Sequence, residues 1–466
     1  MKIARIMMTA AAPLALCACA LSPPAPKVDP LAPAKWEAAP AHNGSLTDLA
    51  SWWRRQGDPL LAQLVDSAQA ASPTVSAARS RIAQARAQRT AAGAALLPSV
   101  DAAASIVRSS QQSELPTNTT SQAGFQAAWE IDLFGARRAD RRAAEARLAG
   151  ANAGWHEARV SVAAETANQY YALRACEQLL AVAEQDAASR DDTSRLTQLT
   201  TDAGFQSPAT AALARASAAE GRSRATAQRA QCDLDVKALV VLTALPEPDL
   251  RQRIAGATAV AATPIEISAL PAQTLAQRPD VFNAEREVAA ASAEVGSAQA
   301  DRYPRLSLQG AVGLANFRAG GENTRLDTWT IGPLALSVPV FDAGRRAANV
   351  DAARARYDNA VIGYRAAVRQ AVREVEDALV NLRSTAQRSA DAQVAMDGYR
   401  YSFRATEDLY KNGLASLLQL EDARRTRLAA ENAVVTLQRE RNAAWIALYR
   451  AAGGGWTPAA NIAAIQ

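Results

Sequence analysis

The chain has 466 residues, enough to bury a large core, yet only 5% of them are aromatic. Alanine is the commonest residue and nearly all basic residues are arginines, so the composition predicts a mainly α-helical protein. The net charge of +5 is mild for this length, and no basic block carries interleaved aromatic residues, which argues against a nucleic-acid-binding protein.

The first residues have the pattern of a bacterial lipoprotein signal peptide. A charged start is followed by an apolar stretch that is too short to span a bilayer and that runs into Leu16-Cys17-Ala18-Cys19. Cys19 has a small residue immediately before it and a leucine three residues before it, so we predict a signal peptide over 1–18 and lipidation of Cys19. Residues 19–48 then form a lipid tether and an extended segment. An ordinary secretory leader with incidental cysteines is the alternative.

The two halves of the chain resemble each other in order and spacing. Pro73-Thr74-Val75 recurs as Pro279-Asp280-Val281, and Ala203-Gly204-Phe205-Gln206-Ser207 corresponds to Asn412-Gly413-Leu414-Ala415-Ser416. This self-similarity indicates a tandem duplication. The predicted division is repeat 1 at 49–255, repeat 2 at 256–456 and a carboxyl-terminal tail at 457–466.

Each repeat contains a helix, a β-hairpin and a long helical hairpin. In repeat 2, apolar residues alternate with small or polar ones over 306–314 and again over 334–340, which predicts two strands separated by a loop near 319–323. We predict a β-hairpin at 98–133 with a helical hairpin turning near Gly204 in repeat 1, and a β-hairpin at 304–341 with a helical hairpin turning near Gly413 in repeat 2.

The long helices and the few strands together predict an oligomer. An outgoing helix of about 65 residues is on the order of 100 Å long, so it must pack side by side with other helices. The four predicted strands of one chain cannot close a sheet on themselves, and their exposed edges require strands from further chains. The residues alone do not decide between three and four chains.

Two cysteines are placed symmetrically about the first helical turn. Cys176 lies 28 residues before Gly204 and Cys232 lies 28 residues after it. In an antiparallel helical hairpin they are at the same height, so a disulfide bond is geometrically possible in an oxidising compartment. Two separate buried thiols are the alternative.

Two segments carry a family resemblance. Leu275-Ala276-Gln277-Arg278-Pro279-Asp280-Val281 and Tyr303-Pro304-Arg305-Leu306-Ser307-Leu308 resemble the signature of the outer membrane factor family, and are most similar to its NodT-type lipoproteins, relatives of TolC. The resemblance covers 16–456. It implies a mainly α protein with membrane β-strands, in which a trimeric twelve-stranded β-barrel in the outer membrane is continued by a periplasmic α-helical barrel.

The resemblance also implies a function and partners. Such a homotrimer is the outer-membrane channel of a tripartite efflux system, through which small molecules or drugs leave the periplasm passively. Its partners are a periplasmic adaptor (membrane fusion) protein and an inner-membrane pump of the resistance-nodulation-division (RND) class, beside outer-membrane lipid. Adaptor contact in the family occurs at the periplasmic helical tips. The matching residues are Gly204, Phe205, Tyr410, Asn412, Gly413, Leu414 and Ser416.

The sequence departs from some relatives at the second tip. Those relatives carry an aspartate just after the tip glycine that contributes a ring of carboxylates to the closed aperture, whereas this chain has Ala415. Asp202 and Asp408 lie nearby and are candidate aperture charges. Solvated surface charge is the alternative interpretation of each.

No catalytic or metal-binding pattern stands out. The two histidines, His42 and His156, have no partners at metal-ligand spacing, and no nucleophile elbow or phosphate-binding loop occurs. We therefore predict a protein that is not an enzyme and that needs no cofactor or metal. A duct for protein or peptide secretion and a periplasmic adaptor lipoprotein remain as alternatives, although an adaptor has one helical hairpin and this sequence has two.

Overall fold

The structure of the chain is a computed structural model that describes residues 22–33, 36–38, 52–55, 57–110, 117–257, 275–276 and 278–457. The predicted signal peptide, Cys19 and His42 lie outside the described residues. The helices are α1 (Trp52–Arg55), α2 (Pro59–Ala71), α3 (Pro73–Ala94), α4 (Ala136–Asp202), α5 (Pro208–Thr243), α6 (Glu247–Ala255), α7 (Pro279–Ala300), α8 (Arg345–Lys411) and α9 (Leu417–Ala451). The strands are β1 (Ser99–Ser109), β2 (Asn118–Ile131), β3 (Arg305–Ala319) and β4 (Glu322–Ser337).

The chain folds into two compact units that do not follow the two repeats. Unit 1 combines Met1–Pro30, Ser80–Ala153 and Phe282–Ala367, whereas unit 2 combines Leu31–Arg79, Gly154–Val281 and Val368–Gln466. Each unit therefore takes corresponding segments from both repeats. Unit 1 contains the strands, and unit 2 contains both turns between long helices.

The four strands of unit 1 form one antiparallel sheet in the order β1-β2-β3-β4. Each repeat supplies one hairpin, and the two hairpins join along β2 and β3, where Phe125 is the register partner of Val312. Gly124 and Gly313 face each other at this junction. A Cβ atom on Gly124 would lie 2.7 Å from the Cα atom of Gly313, so both positions need glycine for the strands to approach.

One face of the sheet is apolar and the other is mostly polar. Because side chains alternate along each strand, the register assigns large apolar residues to one face. These are Val100, Ile106, Phe125, Val312, Leu314, Trp329, Ile331, Leu334 and Leu336, and all are exposed in the single chain. The opposite face carries Gln122, whose Nε2 donates to Ser105 Oγ at 3.0 Å. No helix within the described part of the chain is long and apolar enough to cross a membrane.

The last strand differs from the sequence expectation. The loop predicted near 319–323 is a short turn at Gly320 and Gly321, both with positive φ, and Ala319 already pairs with Glu322. Strand β4 therefore begins at Glu322, well before the predicted 334, and it ends at Ser337. The prediction was wrong because the first half of β4 carries polar residues on the face that is apolar further along.

Unit 2 has a hydrophobic core in which aromatic rings meet aliphatic side chains. Trp52 stacks on Tyr449 with 5.0 Å between ring centroids, and the core includes the fully buried Leu61, Leu239 and Ile446. Tyr170 lies in the same core and donates its hydroxyl to Asp58 Oδ2 at 2.5 Å. Asp58 is also the N-cap of α2, where Oδ1 accepts the amides of the first turn.

The Arg-Pro-Asp-Val segment at the start of α7 has a structural role in unit 2. Arg278 is buried, and its guanidinium makes a bidentate pair with Asp280 at 3.0 and 2.6 Å. It also lies 2.8 Å from Glu374 and donates to the Ala451 carbonyl at 2.9 Å. Because the last carbonyls of a helix have no partner within it, this contact satisfies one at the end of α9.

The two long outgoing helices have the same length. Helices α4 and α8 each contain 67 residues, while the returning helices α5 and α9 contain 36 and 35. These bounds match the two helical hairpins expected from the apolar periodicity, and the turns lie at the expected glycines.

Candidate functional site

The tips of the two helical hairpins, both in unit 2, have the same backbone geometry. At the first, the Phe205 amide donates to the Thr200 carbonyl at 2.8 Å, and the Gly204 amide donates to Thr201 at 2.9 Å. This is a Schellman ending, which requires a left-handed residue, and Gly204 has φ +83°. The second tip repeats it, with Leu414 donating to Leu409 at 2.8 Å and φ +74° at Gly413.

Each returning helix begins at a serine N-cap three residues after the tip glycine. Ser207 Oγ accepts the Thr210 amide at 3.1 Å, and Pro208 occupies the first helical position. Ser416 forms a complete capping box with Gln419, whose Oε1 accepts the Ser416 amide at 2.8 Å. Both turns are therefore fixed at each end by backbone hydrogen bonds and caps.

Each tip exposes a large apolar side chain immediately after its glycine. Phe205 is 83% exposed and Leu414 is 75% exposed, and Leu418 in the first turn of α9 is 73% exposed. Side chains of this size usually lose water contact in a core or an interface. These rigidly held apolar groups are therefore suited to contact a partner.

The polar residues predicted at the tips have local partners. Tyr410 Oη lies 2.6 Å from Thr197 Oγ1, which joins α8 to α4, and Asn412 Nδ2 donates to the Asp408 carbonyl at 2.7 Å. Asp202 accepts a hydrogen bond from Gln198 at 2.7 Å. Ala415, at the position where some relatives have aspartate, is half-buried between Leu414 and Ser416.

A buried ionic cluster joins the two hairpins above the tips. Arg190 of α4 lies 2.7 Å from Asp186 and 2.6 Å from Glu421 of α9. Arg424, which is fully buried, pairs with the same Glu421 and donates to Thr193 Oγ1 at 3.0 Å. We call Asp186, Arg190, Glu421 and Arg424 the ionic cluster.

The surroundings of Arg424 explain its position. Burial lowers the pKa of its guanidinium, while Glu421 and Asp186 favour the charged form. Its carbon Cζ lies 5.6 Å from the centroid of the Phe403 ring, and the ring of Phe403 packs with Leu417 and Leu420. A charged residue thus occupies the stripe of α9 that is otherwise apolar at this height.

A surface cavity of about 880 Å³ opens beside the ionic cluster. Its walls come from α4, α5 and α9 and include Asp186, Arg190, Glu220, Arg224 and Glu421. Its lining carries charges of both signs, so it favours neither a cation nor an anion.

The structure brings together the two cysteines of the first hairpin. Cys176 and Cys232 form a disulfide bond, with 5.5 Å between their Cα atoms. Nearer the tip, α4 and α5 approach at Gly221, where a Cβ atom would lie 2.8 Å from Arg190 Cδ. The first hairpin is therefore joined covalently at one height and packed closely against Arg190 at another.

Sequence reasoning placed the tips but missed the ionic cluster. Arg424 follows Leu417 and Leu420 at helical spacing, so an arginine within an apolar stripe was the available signal. His156 lies among aromatic rings, 4.8 Å from Trp155 and 6.3 Å from Trp456 between centroids.

Comparison with known proteins agrees with this architecture. A family model described as "Outer membrane efflux protein" matches residues 64–245 and 270–454. The pyoverdine export outer membrane protein OpmQ of Pseudomonas aeruginosa is 30% identical over 458 residues, which cover 93% of this chain and 94% of that protein. Nodulation protein T of Rhizobium leguminosarum bv. viciae is 28% identical, over 90% of this chain and 87% of that protein.

Solved structures give the same result for the fold. The outer-membrane channel OprN superposes with a TM-score of 0.81 at 26% identity, covering 94% of this chain and 99% of that chain. The residues that the family model matches contain the four strands, the long helices and both tips.

Proposed function

Since this chain belongs to the outer membrane efflux protein family, we propose that it forms, as a homotrimer, the exit channel of a tripartite efflux system. The chain is an outer-membrane efflux component, and its resemblance to NodT-type proteins is confirmed. The finer proposal concerns its oligomer, its partners and its lipid anchor. The single observation that carries it is the pair of rigid tips with exposed Phe205 and Leu414.

The sheet supports a trimer. In the described chain the outer edges of β1 and β4 have no neighbouring strand, and unpaired edges of this length promote association. Its large apolar side chains are exposed on one face. Pairing β4 of one chain with β1 of the next satisfies the edges, and three chains give the twelve strands that the family resemblance implies.

The tips are the proposed docking site for a periplasmic adaptor protein, which links the channel to an inner-membrane RND-type pump. The Schellman endings hold Phe205 and Leu414 in fixed positions, so little conformational entropy is lost when a partner covers them. Neighbouring polar groups, including Asn412 and Ser416, are available at the rim. Asp202 and Asp408 remain candidate aperture charges.

The amino-terminal segment supports a lipid anchor at Cys19. Residues that follow Cys19 pack against helices α7 and α8 of unit 1. The Pro24 carbonyl accepts a hydrogen bond from Ser292 Oγ at 2.6 Å, and the Ala25 carbonyl accepts one from Tyr357 Oη at 2.9 Å. This arrangement brings the chain to the unit that contains the sheet. Mass spectrometry of the mature protein tests the anchor; an unmodified terminus, or cleavage elsewhere than before Cys19, would contradict it.

Transport through the channel is passive and the partner pump supplies the energy, so we propose no catalytic activity, cofactor or metal requirement for this chain. Small molecules or drugs are the proposed cargo because pyoverdine export and efflux appear in the names of its relatives. Secretion of proteins or peptides is the second candidate for the cargo. An adaptor function is disfavoured by the two strand hairpins and the two helical hairpins.

A binding measurement tests the docking proposal. The purified trimer is immobilised and titrated with the purified adaptor from the same operon or host, comparing wild type with a Phe205→Glu, Leu414→Glu double variant. Loss of two apolar contacts should weaken binding at least about tenfold. The control Gln206→Glu adds a charge at the same exposed turn but removes no apolar group, so it should retain most of the affinity. Equal binding by the double variant would contradict the docking site.

A further inference from the structure

The turn end of the sheet in unit 1 carries a cluster of arginines. The strands contain four arginines, and Arg305, at the helix end of β3, lies 2.8 Å from Asp301. The other three, Arg108, Arg318 and Arg325, are exposed near the turns. Within the described residues, none of their guanidinium groups has an ion pair or a hydrogen bond. Among the described residues, the strand arginine at the helix end is therefore paired and the three at the turn end are not.

The register assigns these three arginines to one face. Arg108 and Arg318 are both partners of Thr119, one on each side of β2. Arg325 lies two residues along β4 from Asn323, the partner of Arg318. Since side chains two residues apart share a face and strands lie about 4.8 Å apart, the three arginines belong to one patch that extends over three strand spacings, or about 15 Å.

The same face is apolar immediately below the arginines. From Leu306 to Leu314 side chains of β3 alternate between the two faces, and these eight steps span about 27 Å along the strand, comparable to the apolar band of a membrane sheet. Asn316 then replaces the apolar residues on this face. In an outer-membrane protein the apolar face lies against lipid, so the arginine patch lies at the level of lipid headgroups.

We propose that Arg108, Arg318 and Arg325 bind the phosphate groups of an anionic lipid headgroup in the outer leaflet. A guanidinium group presents a planar pair of donors that matches phosphate oxygens, and three such groups suit a headgroup with more than one phosphate. Asp327, opposite Leu314, is a carboxylate on the same face, and the three arginines outweigh its single negative charge. The site extends beyond efflux and rests on the outer-membrane location and on the helical tips facing the periplasm.

A polar side chain and a cavity lie beside the patch. Asn316, the partner of Arg325, has a buried Oδ1 that accepts no hydrogen bond. A surface cavity of about 600 Å³ adjoins the patch at Arg325 and is lined by Ile106, Leu314 and Asn316, among others, but not by Arg108 or Arg318. Its walls are partly apolar and partly polar, which suits an amphiphilic ligand. The cavity beside the ionic cluster is instead lined by charges of both signs.

Equilibrium binding to the full-length protein in detergent tests the site, with lipid A that carries two phosphates as the probe. The triple variant Arg108→Gln, Arg318→Gln, Arg325→Gln should bind at least about tenfold more weakly than wild type, because each lost guanidinium removes a charge-assisted hydrogen bond. The control is Arg305→Gln, which lies on β3 like Arg318 but at the opposite end of the strand. This variant should bind within about twofold of wild type. Circular dichroism and the electrophoretic mobility of the trimer verify folding. The double variant Arg318→Gln, Arg325→Gln provides the test if the triple variant does not assemble.

Two further ligands decide the source of the phosphate. Chemically dephosphorylated lipid A should bind wild type as weakly as the intact lipid binds the triple variant. Inorganic phosphate should not displace the lipid at an equal phosphate concentration, because it lacks the apolar part. Unchanged binding by the variants, equal binding of the dephosphorylated lipid, or displacement by inorganic phosphate would each overturn the proposal. The efflux function does not enter this measurement, so its failure would leave the channel assignment intact.

Discussion

Arg190 of α4 and Glu421 of α9 form an ion pair across the two helical hairpins, with Nη1 2.6 Å from Oε2. Arg424, which lies on α9 with Glu421, pairs with the same carboxylate. Arg190 and Arg424 are buried, and Glu421 is largely buried. Both arginines also pair with Asp186, at 2.7 Å from Arg190 and 3.8 Å from Arg424, but Glu421 is the shared acceptor that joins α9 to α4.

Removing that carboxylate should loosen the tips. Glu421→Gln leaves the buried Arg190 and Arg424 with Asp186 as their remaining shared carboxylate, and breaking a buried pair costs about 3 kcal/mol. Hydrogen exchange of the intact trimer should report this as a local loss of protection of about 100-fold in peptides from 183–200 and 417–431.

The neighbouring pair Asp422–Arg425 is the matched control. Its side chains are 63% and 78% exposed, and exposed pairs contribute at most about 1 kcal/mol. Asp422→Asn should therefore change protection less than about fivefold. Equal effects of the two substitutions would show that the buried cluster does not hold the hairpins.

Two glycines of α8 and its tip should respond to alanine in opposite directions. Gly413 has φ +74°, where an alanine costs roughly 1–2 kcal/mol. Gly398 lies within the helix, and a methyl group added there would have nothing within 4 Å, so alanine should stabilise the helix by about 0.5–1 kcal/mol. Local hydrogen exchange around each position measures both changes, and stabilisation by Gly413→Ala would contradict the tip geometry.

The disulfide should stabilise the first hairpin. It closes a loop with a sequence separation of 56, for which chain-entropy arguments give about 4 kcal/mol. Cys176→Ser and Cys232→Ser should each lower the free energy of unfolding by about 2–4 kcal/mol, and reducing agent should lower it in wild type but not in the variants. Labelling of two free thiols in the unreduced, denatured protein would contradict the bond.

Alkaline pH should weaken unit 2 through Tyr170. Burial and the hydrogen bond to Asp58 raise the pKa of Tyr170 to about 12, from an ordinary value near 10.0. Because the folded state holds this proton more tightly, the contribution is present below about pH 10 and is lost as the pH rises to about 12. The free energy of unfolding, measured between pH 9 and pH 12, should show this loss. Tyr170→Phe should be less stable than wild type at pH 9, and its free energy of unfolding should fall less between pH 9 and pH 12. An identical pH dependence in the variant would exclude Tyr170 as its source.

The sequence predicts the parts of the fold that repeat. Apolar spacing by three and four residues predicts α4, α5, α8 and α9, because a long helix leaves a sustained stripe. Gly204 and Gly413 mark the tips because a Schellman ending requires a left-handed residue. Because the chain is duplicated, the apolar spacing and the tip glycine each occur twice, and each occurrence supports the other.

Other features depend on contacts that periodicity does not encode. The start of β4 at Glu322 depends on pairing with Ala319 rather than on an apolar pattern. The ionic cluster depends on Arg190 and Glu421, which are 231 residues apart, meeting across two hairpins. The two compact units also mix segments of both repeats, which the division of the sequence into repeats does not indicate.

Drug susceptibility of the native host tests the central claim most directly. The chain is deleted, then restored as wild type, as the Phe205→Glu, Leu414→Glu variant, or as the Gln206→Glu control, with membrane levels of each protein measured. The efflux-channel account predicts that deletion sensitises cells to several unrelated compounds, that wild type and the control restore resistance, and that the tip variant does not despite normal levels. Unchanged susceptibility after deletion, accompanied by loss of a secreted protein from the medium, would contradict it and identify secretion as the function.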